Sequence, residues 1–161
     1  MKVREVMTEP VLTCTPQTSL GVAARLMREA DYGTLPVVDA FGRLVGIITD
    51  RDVCLVLAGT RRNAVNIAVR EARTPKVFSA LVDDDVYDAL ALMKKHRVRR
   101  LPVRDTAGNL AGMLSIEDLV VRGLTDDGLH ADDVIDALRA MYVRLPVAAD
   151  VTPAPNEFTP G

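Results

Sequence analysis

Tryptophan is absent from the 161 residues, and aromatic side chains make up only 4% of them. Aliphatic residues must therefore build the core. Few flat rings remain to stack unpaired bases, so single-stranded nucleic acid is not an expected partner. Basic residues do not dominate either: the formal net charge is −2, which excludes a broad cationic surface for a phosphate backbone. The two cysteines, Cys14 and Cys54, cannot supply the disulfide framework of a small secreted domain. They read as buried or half-buried free thiols. A redox link between the two halves of the chain stays open, because sequence separation does not exclude proximity. His96 and His130 are the only histidines, and neither sits in a His-x-x-His or Cys-x-x-Cys arrangement. No full metal-ligand set is expected from them. No apolar run reaches the length of a membrane span. The polar start over residues 1–5 lacks the apolar stretch of a secretory leader, so the expected location is cytoplasmic. No Ser-His-Asp or Cys-His pairing is readable, and catalysis is not expected.

What the chain does contain is a duplication. Leu35-Pro36-Val37 recurs as Leu101-Pro102-Val103, and Gly46, Thr49 and Asp52 recur as Gly112, Ser115 and Asp118, all at an offset of 66 residues. Met27, Asp39, Gly42 and Leu44 fall on Met93, Asp105, Gly108 and Leu110 at the same offset. One register held across so many residue types marks two copies of one structural unit. The apolar fraction of 48% with 26% charged residues reads as globular. A half of about 60 residues is marginal alone, so the copies should pack on each other.

Each copy reads as strand, helix, strand, strand, helix. In the first, residues 11–14 are a short strand, Ser19 caps a helix, and Leu20, Ala23, Ala24, Met27 and Ala30 form its apolar stripe. Asp31-Tyr32-Gly33 breaks that helix. Residues 35–38 and 44–48 flank a turn in which Gly42 can take a positive φ. Residues 50–58 form the second helix, with Val53, Cys54 and Leu57 available to its inner face. In the second copy, residues 77–78 are the short strand and the acids at 83–85 open a helix striped by Val86, Ala89, Leu90 and Met93. Two strands around Gly108 follow, and a helix begins at Ser115. The expected class is α/β (α+β), a small sheet covered by helices. The boundaries are 1–60 for the first repeat, 61–68 for the connector and 69–123 for the second repeat. An extra C-terminal helix follows at 131–142, and a proline-rich, frayed tail at 150–161. Leu145-Pro146-Val147 imitates the strand motif without its sequel.

Gly-x-x-Thr/Ser-x-x-Asp carries the chemistry. Its hydroxyl stands where a strand becomes a helix, and its carboxylate lies on the first helical turn. Such a pair can form an ordinary capping box. It can also offer acceptors to the hydroxyls of a ribose and donors to a phosphate. The second copy of the motif, again placed after a Leu-Pro-Val hairpin, favours a site over capping alone.

Taken together, these motifs make residues 1–122 resemble a tandem pair of cystathionine-β-synthase (CBS) domains, a Bateman module of the stand-alone bacterial or archaeal kind. The resemblance implies two repeats related by a pseudo-twofold axis, with two clefts that bind AMP, ADP, ATP or S-adenosylmethionine. It implies ribose contacts from Asp52 and Asp118 and hydroxyl contacts from Thr49 and Ser115. One base pocket would be lined by Tyr32, Gly33, Thr34 and Pro36, the other by Val98, Arg99, Arg100 and Pro102. Thr13 and Val77 would close the base side from the short strands. Arg51 stands in the first motif where the second has Ile116 and Glu117, so the first cleft should favour the more phosphorylated ligand. The basic run at 94–100 lies beside the second-repeat pocket, and Arg99 and Arg100 could serve the Glu117 cleft from its opposite wall. No cofactor is required on this reading. The expected function is a regulatory adenine-nucleotide sensor, with a structural or protein-interaction module of empty clefts as the alternative. A homodimer and an unidentified regulated protein are the expected macromolecular partners; nucleic acid and membrane are not expected.

Overall fold

The structure, a computed structural model, describes residues 1–125 and 128–143. The residue 145–147 triplet and the 150–161 tail lie outside them. Helix α1 (Leu20–Ala30) begins where the Ser19 hydroxyl accepts the Val22 amide at 3.3 Å, which satisfies a first-turn donor. Its buried face is Leu20, Ala23 and Met27; Ala24, read from spacing as part of the stripe, faces outward. The helix ends at Asp31, which takes the left-handed conformation at φ 56°. Asp tolerates that region through its short polar side chain, so Gly33 is not the breaker. Strands β1 (Thr34–Val38) and β2 (Leu44–Thr49) then pair antiparallel, with Leu35 opposite Ile48 and Val37 opposite Gly46. Their turn uses Gly42 at φ 79°, and Asp39 accepts the amides of Phe41 and Arg43 at 2.9 Å each. Helix α2 (Asp50–Ala58) follows directly. Val53 is its buried residue and Val56 and Leu57 pack beside it, whereas Cys54 points outward.

The second copy repeats the plan. Strand β3 (Ala80–Leu81) runs parallel to β4, with Ala80 opposite Val103. Helix α3 (Val86–His96) is capped by Asp85, which accepts the Tyr87 amide at 2.9 Å, and ends at Arg97 with φ 54°. Strands β4 (Arg100–Arg104) and β5 (Leu110–Ser115) pair with Leu101 opposite Leu114. Helix α4 (Ile116–Asp118) passes into a π-helical stretch, Leu119–Gly123, and α5 (Ala131–Tyr142) lies along α3. The short strands differ from the sequence reading. In the first copy only Cys14 bridges, parallel to Val37. In the second the pairing falls at Ala80, not at residues 77–78. Ala80 stands 66 residues after Cys14, so the two bridges are equivalent.

Two features join the copies. The hairpin tips meet, Leu44 N–H donating to Gly108 O at 3.4 Å and Leu110 N–H to Gly42 O at 3.1 Å. More importantly, the leading segments are exchanged. Val3 N–H donates to Asp84 O at 3.0 Å, and its counterpart Val69 N–H donates to Thr18 O at 2.8 Å. Thr8 bridges Met113 and Thr74 bridges Ile47. Val3 and Val6 thus join the core of the second copy, while Ile67 and Val69 join that of the first. Burying each such side chain contributes about 1.5–3 kcal/mol.

The exchange explains the motif glycines. A Cβ on Gly46 would stand 2.8 Å from the Arg73 side chain. A Cβ on Gly112 would stand 2.8 Å from Met7 Sδ and 2.9 Å from the Thr8 carbonyl oxygen. Arg73 and Met7 are themselves equivalent residues of the two exchanged segments. Among the described residues no helix is long and apolar enough to cross a membrane. Both cysteines are free; burial pushes the Cys14 thiol up to about 11, while Cys54 is exposed.

Two outcomes follow. Gly112→Ala should cost about 1–3 kcal/mol of overpacking, because the Thr8 backbone must move. Gly46→Ala should cost less, since the obstacle is the Arg73 side chain, which must give up its bond to the Val45 carbonyl, and no backbone has to move; urea unfolding of both variants ranks them. In the folded protein at pH 8, a thiol reagent should modify Cys54 and spare Cys14. Cys14 lacks both access and thiolate, since its raised pKa keeps the proton on sulfur until pH nears 11. Mass spectrometry of the labelled peptides reads this directly.

Candidate functional site

Both motif carboxylates complete a capping box. Asp52 Oδ2 accepts from Thr49 N–H at 2.9 Å and from the Thr49 hydroxyl at 2.7 Å, and the same hydroxyl accepts the Asp52 amide at 3.1 Å. Asp118 Oδ2 accepts from Ser115 N–H at 2.9 Å and from the Ser115 hydroxyl at 2.6 Å. The hydroxyl hydrogens of Thr49 and Ser115 are thereby committed to their own aspartates. A carboxylate has about four acceptor positions. Asp52 keeps its other oxygen without a partner among the described residues. Asp118 Oδ1 already accepts from the Thr8 hydroxyl at 3.0 Å, and the Arg122 guanidinium stands 3.9 Å from it. Capping and ligand binding therefore do not exclude one another, and Asp52 has more acceptor capacity left.

Each aspartate opens into a cleft built from both copies. The Asp52 cleft, about 580 Å³, takes Thr49, Arg51 and Asp52 from the first copy and Val77, Phe78, Val98, Arg99 and Arg100 from the second. Gly33, Thr34 and Asp50 complete it on one side, and Thr74, Lys76 and Arg97 on the other. The Asp118 cleft, about 240 Å³, takes Ser115, Glu117 and Asp118 from the second copy and Tyr32, Thr34 and Pro36 from the first. Thr8, Leu12, Asp31 and Arg100 also line it. Tyr32 therefore faces Asp118, and Val98 faces Asp52.

Thr34 and Arg100, equivalent by the repeat, line both clefts. Thr13 and Pro102 are not among the residues lining either; Pro102 lies buried in β4 opposite Met113. Arg99 belongs to the Asp52 cleft rather than to the Glu117 cleft, because the loop before β4 crosses to the other copy's motif. Thr8, Thr74, Asp31, Arg97 and Lys76 are wall residues that motif reading passes over. The offset could have found Thr8 with Thr74 and Asp31 with Arg97, since each pair is 66 residues apart.

The two clefts differ in charge. Arg51, Lys76, Arg97, Arg99 and Arg100 surround the Asp52 cleft, against Asp50 and Asp52. Asp31, Glu117 and Asp118 surround the other, against Arg100. Several walls are held in place by neighbours. Arg99 donates to the Tyr142 hydroxyl at 3.0 Å and lies 5.8 Å from its ring centroid. Phe78 stacks on His96 at 3.6 Å with an interplanar angle of 12°, which accounts for that histidine by packing.

A paired strand–helix–hairpin unit with two composite clefts defines a tandem ligand-cleft module. The chain belongs to the CBS domain family, whose model matches residues 3–59 and 69–123. It is 34% identical over 125 residues to the CBS domain-containing protein YhcV of Bacillus subtilis, covering 78% of this chain and 87% of that one. It is 36% identical over 121 residues to the inosine-5'-monophosphate dehydrogenase of Methanocaldococcus jannaschii, but spans 75% of this chain and only 23% of that enzyme. Among solved structures, the CBS domain pair of protein MJ0100 in complex with 5'-methylthioadenosine and S-adenosyl-L-methionine superposes with a TM-score of 0.67 at 28% identity, covering 74% of this chain and 93% of that one. CBSX2, a CBS-pair protein from Arabidopsis thaliana, in complex with AMP gives 0.65 at 28% identity, covering 74% and 93%. Both of these CBS pairs hold adenosine-bearing ligands, and this chain has their fold.

The bond from Thr8 to Asp118 has an internal control. Thr8→Val should lower stability by about 1.5–3 kcal/mol, the range for a hydrogen bond to a charged group. The equivalent Thr74→Val should cost little, because among the described residues the Thr74 side chain makes no bond to Asp52. Denaturant unfolding of the two variants checks the difference.

Proposed function

We propose that this chain is a regulatory module that binds adenosine-bearing ligands between its repeats, and that the Asp52 cleft takes the phosphorylated ones. The observation that carries the reading is the Asp52 cleft itself. A carboxylate with acceptor capacity left over stands beside Arg51, Lys76, Arg97, Arg99 and Arg100, with Val77, Phe78 and Val98 as apolar wall. Ribose hydroxyls donate to Asp52. The guanidinium groups give phosphate oxygens donors of fixed geometry. The base lies against the apolar residues. The AMP and S-adenosylmethionine complexes of CBS-pair neighbours support this choice of ligand class.

Regulation follows from where the ligand sits. Its contacts come from both copies, so it favours whichever packing of the copies offers all of them together, and only that differential affinity makes a switch. A homodimer and a regulated partner protein belong to the same proposal as the recipients of that change. None of the roles assigned to the cleft residues involves bond making or breaking, and the module is read as non-catalytic.

Calorimetric titration with ATP, AMP and adenosine tests the reading. ATP should bind the wild-type protein more tightly than adenosine. Asp52→Ala should weaken all three ligands by about 1.5–3 kcal/mol through loss of a charge-assisted hydrogen bond. Arg51→Ala should weaken ATP more than adenosine. Absence of binding by all three would sink the nucleotide reading and leave an interaction module with empty clefts. Equal losses for ATP and adenosine in Arg51→Ala would remove the phosphate role of that residue.

A further inference from the structure

Among the described residues, Arg100 is the one cation that lines both clefts. It opens strand β4, directly opposite Ser115 in the β4–β5 register. Its side chain is only 25% exposed, and its Nη2 stands 3.5 Å from Glu117 Oε1, whose own side chain is 57% exposed. The equivalent positions in the other copy are Thr34 and Arg51, which cannot form such a pair. One guanidinium therefore stands between two cavities of opposite character. It is held on the acidic side by a partner half in solvent.

An ion pair at that distance with an exposed carboxylate is weak. A phosphate offers an arginine paired oxygens and a larger charge, so it is the stronger acceptor. The remaining acids of the Asp118 cleft are Asp31 and Asp118, and Asp118 has Thr8 and Arg122 beside it. Glu117 depends on Arg100 alone among the ion pairs of the described residues.

The geometry points to Arg100 as an electrostatic link between the clefts: a phosphate-bearing ligand in the Asp52 cleft draws Arg100 away from Glu117, and the unmasked carboxylate makes the Asp118 cleft select a cationic ligand. This inference rests on the nucleotide reading above. Coupling of binding is reciprocal, so a cation in the Asp118 cleft must favour the anion in the other by the same factor. The sign depends on ligand charge. A sulfonium or ammonium group gains from the exposed Glu117, an uncharged nucleoside of similar shape does not, and a second phosphate is penalised.

The probes are ATP for the Asp52 cleft, with S-adenosylmethionine and uncharged 5'-methylthioadenosine for the other. Calorimetry measures the second pair of ligands with and without saturating ATP. ATP should tighten S-adenosylmethionine binding roughly fivefold, at the low end of site-to-site coupling, and leave 5'-methylthioadenosine unchanged. In Arg100→Gln the ATP effect should vanish while S-adenosylmethionine still binds. In Arg99→Gln, which weakens ATP in the Asp52 cleft but leaves Arg100 in place, the effect should persist once ATP is raised to saturation. Independent binding of ATP and S-adenosylmethionine in the wild type overturns the link, as does competition between them, an equal ATP effect on both thioether-derived ligands, or coupling that survives Arg100→Gln. If no nucleotide binds the wild-type protein at all, the underlying nucleotide reading fails, and the link fails with it.

Discussion

The exchange of leading segments is the constraint on which the rest of this structure depends. A half built from one hairpin and two helices leaves a strand edge open and a core too small to be stable alone. The remedy comes from the other half. Residues around Thr8 lie against β5, residues around Thr74 lie against β2, and Val3, Val6, Ile67 and Val69 fill the opposite cores. Covalent order and packing order are therefore different. Neither core is complete without a piece of chain that precedes the other repeat, so the two cores should gain and lose order together.

The same crossing makes the clefts composite. Because each leading segment ends on the other copy's hairpin, the segment that continues toward the short strand forms a wall facing the other copy's aspartate. Val77 and Phe78 reach Asp52 in this way, and Val11 and Leu12 reach the Asp118 cleft. A molecule in either cleft must touch both copies. Any ligand that binds there stabilises the paired state over separated halves by mass action. A fold stabilised by exchange is thus already a fold whose packing a ligand can bias, with no separate device required.

Much of this was legible in the sequence, and the reasons for the gaps are physical. The hairpins, the Ser19 and Asp85 caps and the buried faces follow from local pattern, and local pattern suffices for elements that carry their own turn residues and stripes. The exchange left no such trace. Residues 1–5 read as a polar start, because a 3₁₀ turn with so few buried residues, Val3 and then Val6, is too short to show a period. The second short strand was misplaced at residues 77–78 because two apolar residues there outweigh a lone alanine. Propensity cannot locate a pairing that consists of one or two bridges, whereas the offset from Cys14 locates it at Ala80. The reason for Gly46 and Gly112 was equally hidden, since the Arg73 and Met7 side chains that forbid a Cβ come from the far side of the repeat. Motif reading passes over Arg97 and sets Arg99 on the wall opposite Glu117 for the same cause: the loop that carries both lines the cleft of the other copy's aspartate.

Comparing the copies position by position separates frame from wall. Positions that hold backbone are matched in kind: Ser19 with Asp85 as caps, Gly42 with Gly108 at positive φ, Gly46 with Gly112 under the exchanged side chain, Thr49 with Ser115 in the capping box. Several charged wall positions are not matched, although the apolar wall is, Val11 with Val77 and Leu12 with Phe78. Arg97 stands where the first copy has Asp31, Arg51 where the second has Glu117, Lys76 where the first has Pro10, and Arg99 where the first has Gly33. Asp31 and Arg97 make the distinction within single residues. Both hold the left-handed backbone that ends their helices, a conformation costly for a residue other than glycine, yet their side chains carry opposite charge into different clefts. The frame admits few solutions because a misplaced cap or Cβ breaks packing that both copies share. The walls are free of that restriction, so one shared frame can carry two clefts of opposite charge.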